Sequence, residues 1–346
     1  MVLKHASPPK PRDALAPAER AGGLTARRAV RKTLAMLPSS TWVVAEAFAG
    51  MQSQALGLTD AAGLAAEVRP IAPRGLWRHI PAAFWPSPLA AVAPGALAPP
   101  LPELLVGCGG KAAAVLAALR TRVRGVIVQH PRIDPRKFDF IIVGRHDELA
   151  GPNVFAARTA LHRANPERLA EAGRIWTPRL AHLPRPLVSV LIGGANGRFK
   201  LGVPEARALA GQLATMMQRD KVGLALTPSR RTDPAVSAVF AETLRPLGAL
   251  VWDGTGENPY FGMLALSDAI VVTLDSVSMV SEAVATAAPV FLAELPGSSR
   301  RIGMFLKDLI DAGRVRPYQG RFDHWPVQPL DDTAEAAAEM CRRFGY

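Results

Sequence analysis

The sequence predicts an α/β protein of two doubly wound, Rossmann-like domains, and three observations carry that prediction. The chain, at 346 residues, is longer than one ordinary core requires. Short continuous apolar runs alternate with Ala-rich helical stretches, the pattern of parallel strands covered on both faces. The runs fall into two sets, and a proline-punctuated stretch separates them.

In chain order, residues 1–38 come first, with eight basic and two acidic side chains and so half of the net charge of +12. This Pro-, Ala- and Arg-rich stretch has no strand and no continuous apolar face, so it reads as a basic disordered tail. It lacks the apolar centre of a secretory signal, and Pro17 would interrupt the amphipathic helix of an organellar transit peptide. Attraction to anionic lipid or nucleic acid is the functional alternative for this tail.

The first domain, 39–178, draws its strands from "TWVVAEA" (41–47), "LLVG" (104–107), "GVIVQ" (125–129) and "FDFIIVG" (138–144). A linker at 179–186 lies within "WTPRLAHLPRPL", where prolines stand at 178, 184 and 186. The second domain, 187–330, uses "LVSVLIGG" (187–194), "VGLALT" (222–227), "ALVW" (249–252), "DAIVVT" (268–273) and "PVFLA" (289–293). A last helix over 331–346 opens on acidic residues and closes on Arg342 and Arg343, the charge order that suits a helix dipole.

Composition narrows the function classes. Two cysteines, Cys108 and Cys341, give neither a disulfide framework nor a metal-ligand cluster, which points to a reducing, cytoplasmic setting. The Ala-rich run from Pro88 to Gly107 is broken by prolines at 88, 94, 99, 100 and 102, so it cannot span a bilayer as a helix. Cys108 between glycines reads as a small buried residue rather than a reactive thiol.

Ligands of open parallel sheets sit outside the carboxyl ends of the strands, so the post-strand loops hold the informative residues. "LIGGANGRF" (191–199) ends a strand in Gly193, Gly194 and Gly197, with Asn196, Arg198 and Lys200 adding donors. Glycines let a backbone approach a phosphate, yet the loop is neither a Walker loop nor a G-x-G-x-x-G fingerprint, and a tight turn alone also requires glycine. "LTPSRRTD" (226–233) offers Thr227, Ser229, Arg230 and Arg231, and guanidiniums suit bidentate recognition of phosphate or carboxylate. "TLDSVSMVSEA" (273–283) caps a helix with Asp275 or Ser276 and places Ser278, Ser281 and Glu282 near one another. Glu282 there is equally consistent with a ribose-binding carboxylate and with an exposed helix residue. In the first half, His146 and Asp147 follow a strand as a general-base pair, with Asn153 close behind. Gly50 and Gln54 stand at the first strand-to-helix turn. Trp77, Arg78, Phe84 and Trp85 have the composition of an interfacial membrane contact, or of a loop that covers the core.

Five ordered motifs, spanning about residues 41–345, resemble the elongated-mitochondria-type fission protein family, which has many bacterial members: "TWVVAEAFAGMQSQALGL", "PRIDPRKFDFIIVGRHDELAGPNV" with "ALHRANPERLA", "LIGGANGRFK", "LTPSRRTDP" and "WDGTGENPYFGMLALSDAIVVTLDSVSMVSEA". The resemblance implies a GT-B-like fold, with two Rossmann-like domains facing a cleft and a C-terminal helix crossing back to the first. Two pieces are also similar to the donor domain of the peptidoglycan GlcNAc-transferase. Its Gly-Gly-Ser-x-Gly loop matches Gly193, Gly194 and Gly197, with Ala195 in place of the serine, and its ribose-binding Ser-Glu matches Ser281 and Glu282. Ser276 and Ser278 then fall where donors would meet phosphate.

The implied function is transfer of a sugar from a nucleotide-sugar donor to a membrane or cell-envelope acceptor. Arg230 and Arg231 would stabilise the departing diphosphate, and His146 or Asp147 would be the base. The donor is a substrate, no cofactor or metal is expected because no Asp-x-Asp motif ends a strand, and no specific nucleic-acid partner is expected. The protein would be cytoplasmic and peripheral on the inner face of a membrane. The family's first loop commonly carries Lys-x-Gly-His, whereas this chain has Phe48-Ala49-Gly50-Met51, so a contact made there by cation or imidazole is lost or moved. That departure favours a second expectation, a non-catalytic GT-B scaffold that recruits a partner at a membrane. A nucleotide-sugar epimerase is a third, and it should line the cleft with more acids.

Overall fold

The computed structural model describes residues 37–93 and 95–346; the expected tail lies outside the described residues except for its last two positions. Strands β1 (Thr41–Ala45), β2 (Ala66–Pro70), β3 (Leu104–Cys108), β4 (Arg124–Val128), β5 (Phe140–Gly144) and β6 (Val154–Ala157) form one parallel sheet in the order β2-β1-β3-β4-β5-β6. Strands β7 (Leu187–Ile192), β8 (Gly223–Pro228), β9 (Leu250–Val251), β10 (Ala269–Thr273), β11 (Val290–Ala293) and β12 (Val315–Pro317) form a second, in the order β12-β11-β10-β7-β8-β9. Each sheet therefore reverses its winding beside its first strand, β1 in one and β7 in the other, which opens a crevice at the carboxyl ends there.

The continuous apolar runs become central strands because both of their faces are covered. In β1, Trp42 and Val44 enter one core cluster while Val43 and Ala45 enter the cluster on the other face. In β7, Val188, Val190 and Ile192 point to one side, and Leu187 and Leu191 to the other. Full burial of large side chains such as Phe140, Phe240 and Phe305 contributes about 1.5–3 kcal/mol each.

The helices in chain order are α1 (Ala49–Ala61), α2 (Pro88–Ala91), α3 (Gly110–Leu119), α4 (Pro166–Leu180), α5 (Val203–Asp220), α6 (Pro234–Leu244), α7 (Tyr260–Leu266), α8 (Val277–Val284), α9 (Arg300–Asp311) and α10 (Thr333–Phe344). Helix α4 corrects the expected linker. It starts at a Pro at N1, capped by Asn165 whose side chain accepts from the Arg168 N–H, and it runs through Pro178 to Leu180. Only residues 181–186 connect it to β7. Leu180 and Leu183 join the core of the second sheet, with Leu169 and Trp176 packed on it, so α4 packs with the second half and not with the first. Proline is tolerated there because it stands in the last turn, where only one carbonyl loses its partner.

Helix α10 crosses back. Ala336, Ala337 and Met340 are buried with Ala55, Leu58 and Phe140 of the first half. The crossing is fixed by ionic and polar contacts: Asp332 accepts from the Arg158 guanidinium and, at 2.5 Å, from its backbone N–H, and Thr333 Oγ1 accepts from the His162 N–H at 3.3 Å. Gly57 lets α1 pass close to the chain at His162, whose N–H Thr333 engages, since a Cβ there would lie 2.2 Å from the His162 carbonyl oxygen.

Candidate functional site

A cleft of about 520 Å3 lies between the two halves, bounded by the ends of β4 and β5, the first turn of α1, the loop after β7 and the starts of α8 and α9. Its charged and polar lining from the second half is Asn196, Arg198, Arg231, Asp275, Ser276, Ser278 and Arg301; from the first it is Gln54, Gln129, His146, Asp147 and Thr159. The two walls approach closely, since a Cβ on Gly50 would lie 3.5 Å from Ser278 Oγ.

Folding of the loop after β7 around one carboxylate dominates the second wall. Asp275 follows β10 and its side chain is fully buried. Its Oδ2 accepts from the Gly194 N–H at 3.1 Å and from Arg231 Nη2 at 3.0 Å. Its Oδ1 is buried without a partner among the described residues. Gly193 has to be glycine here, because a Cβ would sit 2.3 Å from that oxygen. The Gly193 N–H donates to Thr273 Oγ1 at 2.8 Å, Asn196 Nδ2 to the Asp275 carbonyl at 3.1 Å, and Arg231 Nη1 to the Gly194 carbonyl at 3.2 Å. The amides of Gly193 and Gly194, expected to be offered to a phosphate, are therefore satisfied from within. The available donors are the side chains of Arg198, Arg231, Asn196, Ser276 and Ser278, with Ser276 also capping α8 toward the Met279 N–H. Arg198 meanwhile donates to Ser299 Oγ, the cap of α9, at 3.0 Å.

The neighbouring basic loop divides. Arg231 turns into the cleft, whereas Arg230 is exposed and does not line it. Thr227 is buried, and Ser229 bonds Thr232, whose hydroxyl reaches the carbonyls of Ile192 and Gly193, so these hydroxyls brace the loop. Glu282 also departs from expectation. It is buried, lies outside the lining of the cleft and accepts a short hydrogen bond from the Tyr260 hydroxyl. Burial pushes its carboxyl up to about 7, with the Tyr260 hydrogen bond and the Arg168 charge opposing the rise. Ser281, one residue earlier, accepts from the Ala160 N–H at 2.9 Å and so ties α8 to the first half.

On the first wall, His146 and Asp147 are adjacent but do not form the expected base pair. Asp147 instead ion-pairs with Arg301 of α9, a bridge between the halves. His146 packs edge-on against Phe305, with ring centroids 5.7 Å apart. Burial holds its imidazole below the ordinary histidine range; Asp147 and Asp308 pull the other way and Arg301 adds to the depression. A neutral imidazole therefore faces the cleft near pH 7. Gly144 makes room for it, since a Cβ there would lie 2.2 Å from the ring. Asn153 is elsewhere: its amide donates to the carbonyls of Pro135 and Phe138, which clamps a loop. Gln54 is buried and accepts from Gln129 Nε2 at 3.3 Å. Met51, the departure noted in the first loop, lines the cleft and packs over Gly109.

The residues that sequence reasoning missed are Gln129 and Arg301. Gln129 holds φ at 76°, a left-handed conformation that costs a non-glycine residue about 1–3 kcal/mol and recurs at functional sites. The signal available for both was position, at a strand end for one and a helix start for the other. On the expected membrane face, Trp85 is buried and donates from its indole N–H to the Ile80 carbonyl at 3.0 Å, and Trp77 is half-buried on the same core. Phe84 and Leu76 are the exposed apolar residues of that segment. No helix among the described residues is long and apolar enough to cross a membrane.

The family model described as "Mitochondrial fission ELM1" matches residues 49–344, which takes in both walls of this cleft. The chain belongs to that family. Mitochondrial fission protein ELM1 of Arabidopsis thaliana is 32% identical over 274 residues, covering 70% of this chain and 64% of its own length. An uncharacterized Rickettsia prowazekii protein, RP120, is 25% identical over 166 residues, covering 45% of this chain and 47% of its own. The chain thus spans less than two thirds of either relative. In fold, this ELM1-family member resembles the glycosyltransferase SnogD from Streptomyces nogalater, with TM-score 0.51, 15% identity and coverage of 88% and 94%. It is also similar to the UDP-GlcNAc 2-epimerase from Neisseria meningitidis bound to UDP-GlcNAc, with TM-score 0.51, 10% identity and coverage of 88% and 100%. The ELM1-family chain therefore has a GT-B-like fold, as its motifs implied.

Proposed function

We propose that the cleft binds the diphosphate of a nucleotide sugar and that the protein transfers the sugar to an acceptor presented by the first half. The observation that carries this reading is the convergence of Arg198, Arg231 and Arg301 with a neutral His146 in one cleft at the carboxyl ends of both sheets. Arg231, Asn196, Ser276 and Ser278 would hold the diphosphate oxygens, in an electrostatic role that gains strength as water leaves the cleft. His146 Nδ1 or Nε2 would take the proton of an acceptor hydroxyl as its oxygen bonds the anomeric carbon. The bond from that carbon to the diphosphate breaks, and the guanidiniums take up the charge of the leaving group. The membrane side of this reading rests on Phe84 and Leu76, which would meet a lipid-borne acceptor.

Calorimetric titration with UDP-, GDP-, ADP- and CMP-sugars tests the reading. One of them should bind saturably, Arg231→Gln should weaken it about tenfold, and His146→Gln should keep binding while abolishing turnover. Absence of binding by every nucleotide would sink the reading.

A specific observation favours a second reading, the non-catalytic scaffold: the loop amides that would greet a phosphate are already bonded to Thr273 and Asp275. On that reading no nucleotide binds and the cleft residues serve only to lock the two halves. The epimerase reading has less support, because the cleft's two carboxylates, Asp147 and Asp275, are both held in ion pairs.

A further inference from the structure

A second cavity, of about 330 Å3, opens on the first half beside the cleft and shares Gln129 and Arg301 with it. Its floor is the start of α3, its walls are Glu46 at the end of β1 and the turn His130–Arg132 after β4, and its rim is Pro81–Ala83. Three permanent cations, Lys111, Arg132 and Arg301, face it; Glu46 is the one carboxylate of its lining, and Arg301 is also paired with Asp147 on the cleft side. Lys111 Nζ is 2.7 Å from Glu46, which leaves two of its three donors uncommitted. Arg132 is exposed and has no ion-pair partner among the described residues. The His130–Arg132 turn is itself costly to hold: Gln129 and Arg132 have φ of 76° and 59°, and His130 Nδ1 accepts from the Arg132 N–H at 3.0 Å. That hydrogen bond places the remaining ring proton on Nε2 as a donor. Phe84, 75% exposed, follows the rim directly.

We infer that this cavity is an anion subsite for a phosphate-bearing acceptor, separate from the donor side of the cleft. Lys111, Arg132 and His130 bind the phosphate oxygens. Phe84 and the rim prolines and alanines receive whatever apolar chain the phosphate carries. Arg301, common to both cavities, sets the phosphate within reach of the cleft that His146 faces. The shared chemistry is a phosphate monoester or diphosphate, whether free or at the head of a lipid. The role of this phosphate as acceptor rests on the transferase reading, whereas its binding does not depend on the donor side, because none of Lys111, His130 or Arg132 belongs to the second half.

The experiment is calorimetric titration of the full chain with inorganic phosphate, inorganic pyrophosphate and farnesyl phosphate, on wild type, Lys111→Gln/Arg132→Gln and, as the donor-side control, Arg231→Gln. Saturable binding of any of the three that the double variant weakens about tenfold or more, and more than Arg231→Gln does, is the expected result. Tighter binding of farnesyl phosphate than of inorganic phosphate assigns the lipid source, and equal binding assigns the free one. Because Lys111→Gln strands Glu46, Arg132→Gln alone is run alongside and should lose about threefold or more. Failure of all three probes to bind, or binding indifferent to both variants, overturns the inference. Loss of nucleotide binding in the same preparations bears only on the donor reading.

Discussion

Replacing Glu282 with Gln isolates the one buried carboxyl among the described residues whose protonation is shifted toward neutrality. Its native pKa is pushed up to about 7 from an ordinary 4.5, by burial first, with Tyr260 and Arg168 opposing. Between those two values the unfolded chain has released the proton and the native chain has kept it. Stability contributed at this site is therefore full below about pH 4.5, falls as pH rises to about 7, and is lost above that. At 1.36 kcal/mol per unit, the loss amounts to about 3 kcal/mol. Gln is isosteric with the protonated carboxyl and does not titrate. Its Oε1 keeps the Tyr260 hydroxyl as donor, while its amide hydrogens lack a partner at a cost of about 1 kcal/mol. Urea unfolding of both proteins at half-unit steps from pH 4.5 to 8 checks this. The variant should be the weaker protein at pH 4.5 and the stronger above about pH 7, with the difference between them changing by about 3 kcal/mol. All other titrating groups are common to both and cancel. Difference curves that are flat across that window would refute the burial argument.

Three further outcomes follow from the packing and the ion pairs. Gly57→Ala should destabilise by about 2–3 kcal/mol, because the added methyl meets the carbonyl of His162, the residue whose N–H donates to Thr333 of α10; a change within about 0.5 kcal/mol in urea titration would contradict the close approach. Arg231→Gln should cost about 1–3 kcal/mol, since the fully buried Asp275 keeps only the Gly194 N–H, and adding Asp275→Asn should recover most of it; additive effects in that double-mutant cycle would deny the coupling. Trp85→Ser should destabilise by about 3–5 kcal/mol through lost core packing, whereas Phe84→Ser should leave stability unchanged and reduce co-sedimentation with anionic vesicles; equal vesicle binding by Phe84→Ser and wild type would remove the membrane role of that loop.

The central strands were legible because burial on both faces forces continuous apolar runs, as in "FIIVG" and "LVSVLI". Strands β2, β6 and β12 were not, and each stands at the edge of a sheet. There one side needs no neighbour, so β2 carries Glu67 and Arg69, and both β2 and β12 end in proline. The loops of the site were legible as positions, since glycine and capping residues must follow strands that feed a helix. The direction of each side chain was not. Whether Glu282 looks into the cleft or toward Tyr260 depends on α7, whose Tyr260 stands twenty-two residues earlier in the chain. Likewise the Asp147 partner, Arg301, stands in the other half, and no spacing rule links the two.

Asp275 is where the competing functions meet. Its carboxylate lies where Gly193 leaves no room for a methyl group, and it takes the Gly194 amide and one face of Arg231. One of its oxygens is buried without a partner among the described residues, at a cost of about 1–3 kcal/mol. The same carboxylate repels a phosphate placed directly on the glycine loop. On the transferase reading, the anionic part of a ligand would therefore lie on the outer face of Arg231, which is 45% exposed, toward Asn196 and Ser278. On that reading Asp275, whose sequence position suggested only a helix cap, would keep a phosphate off the glycine amides that it already engages.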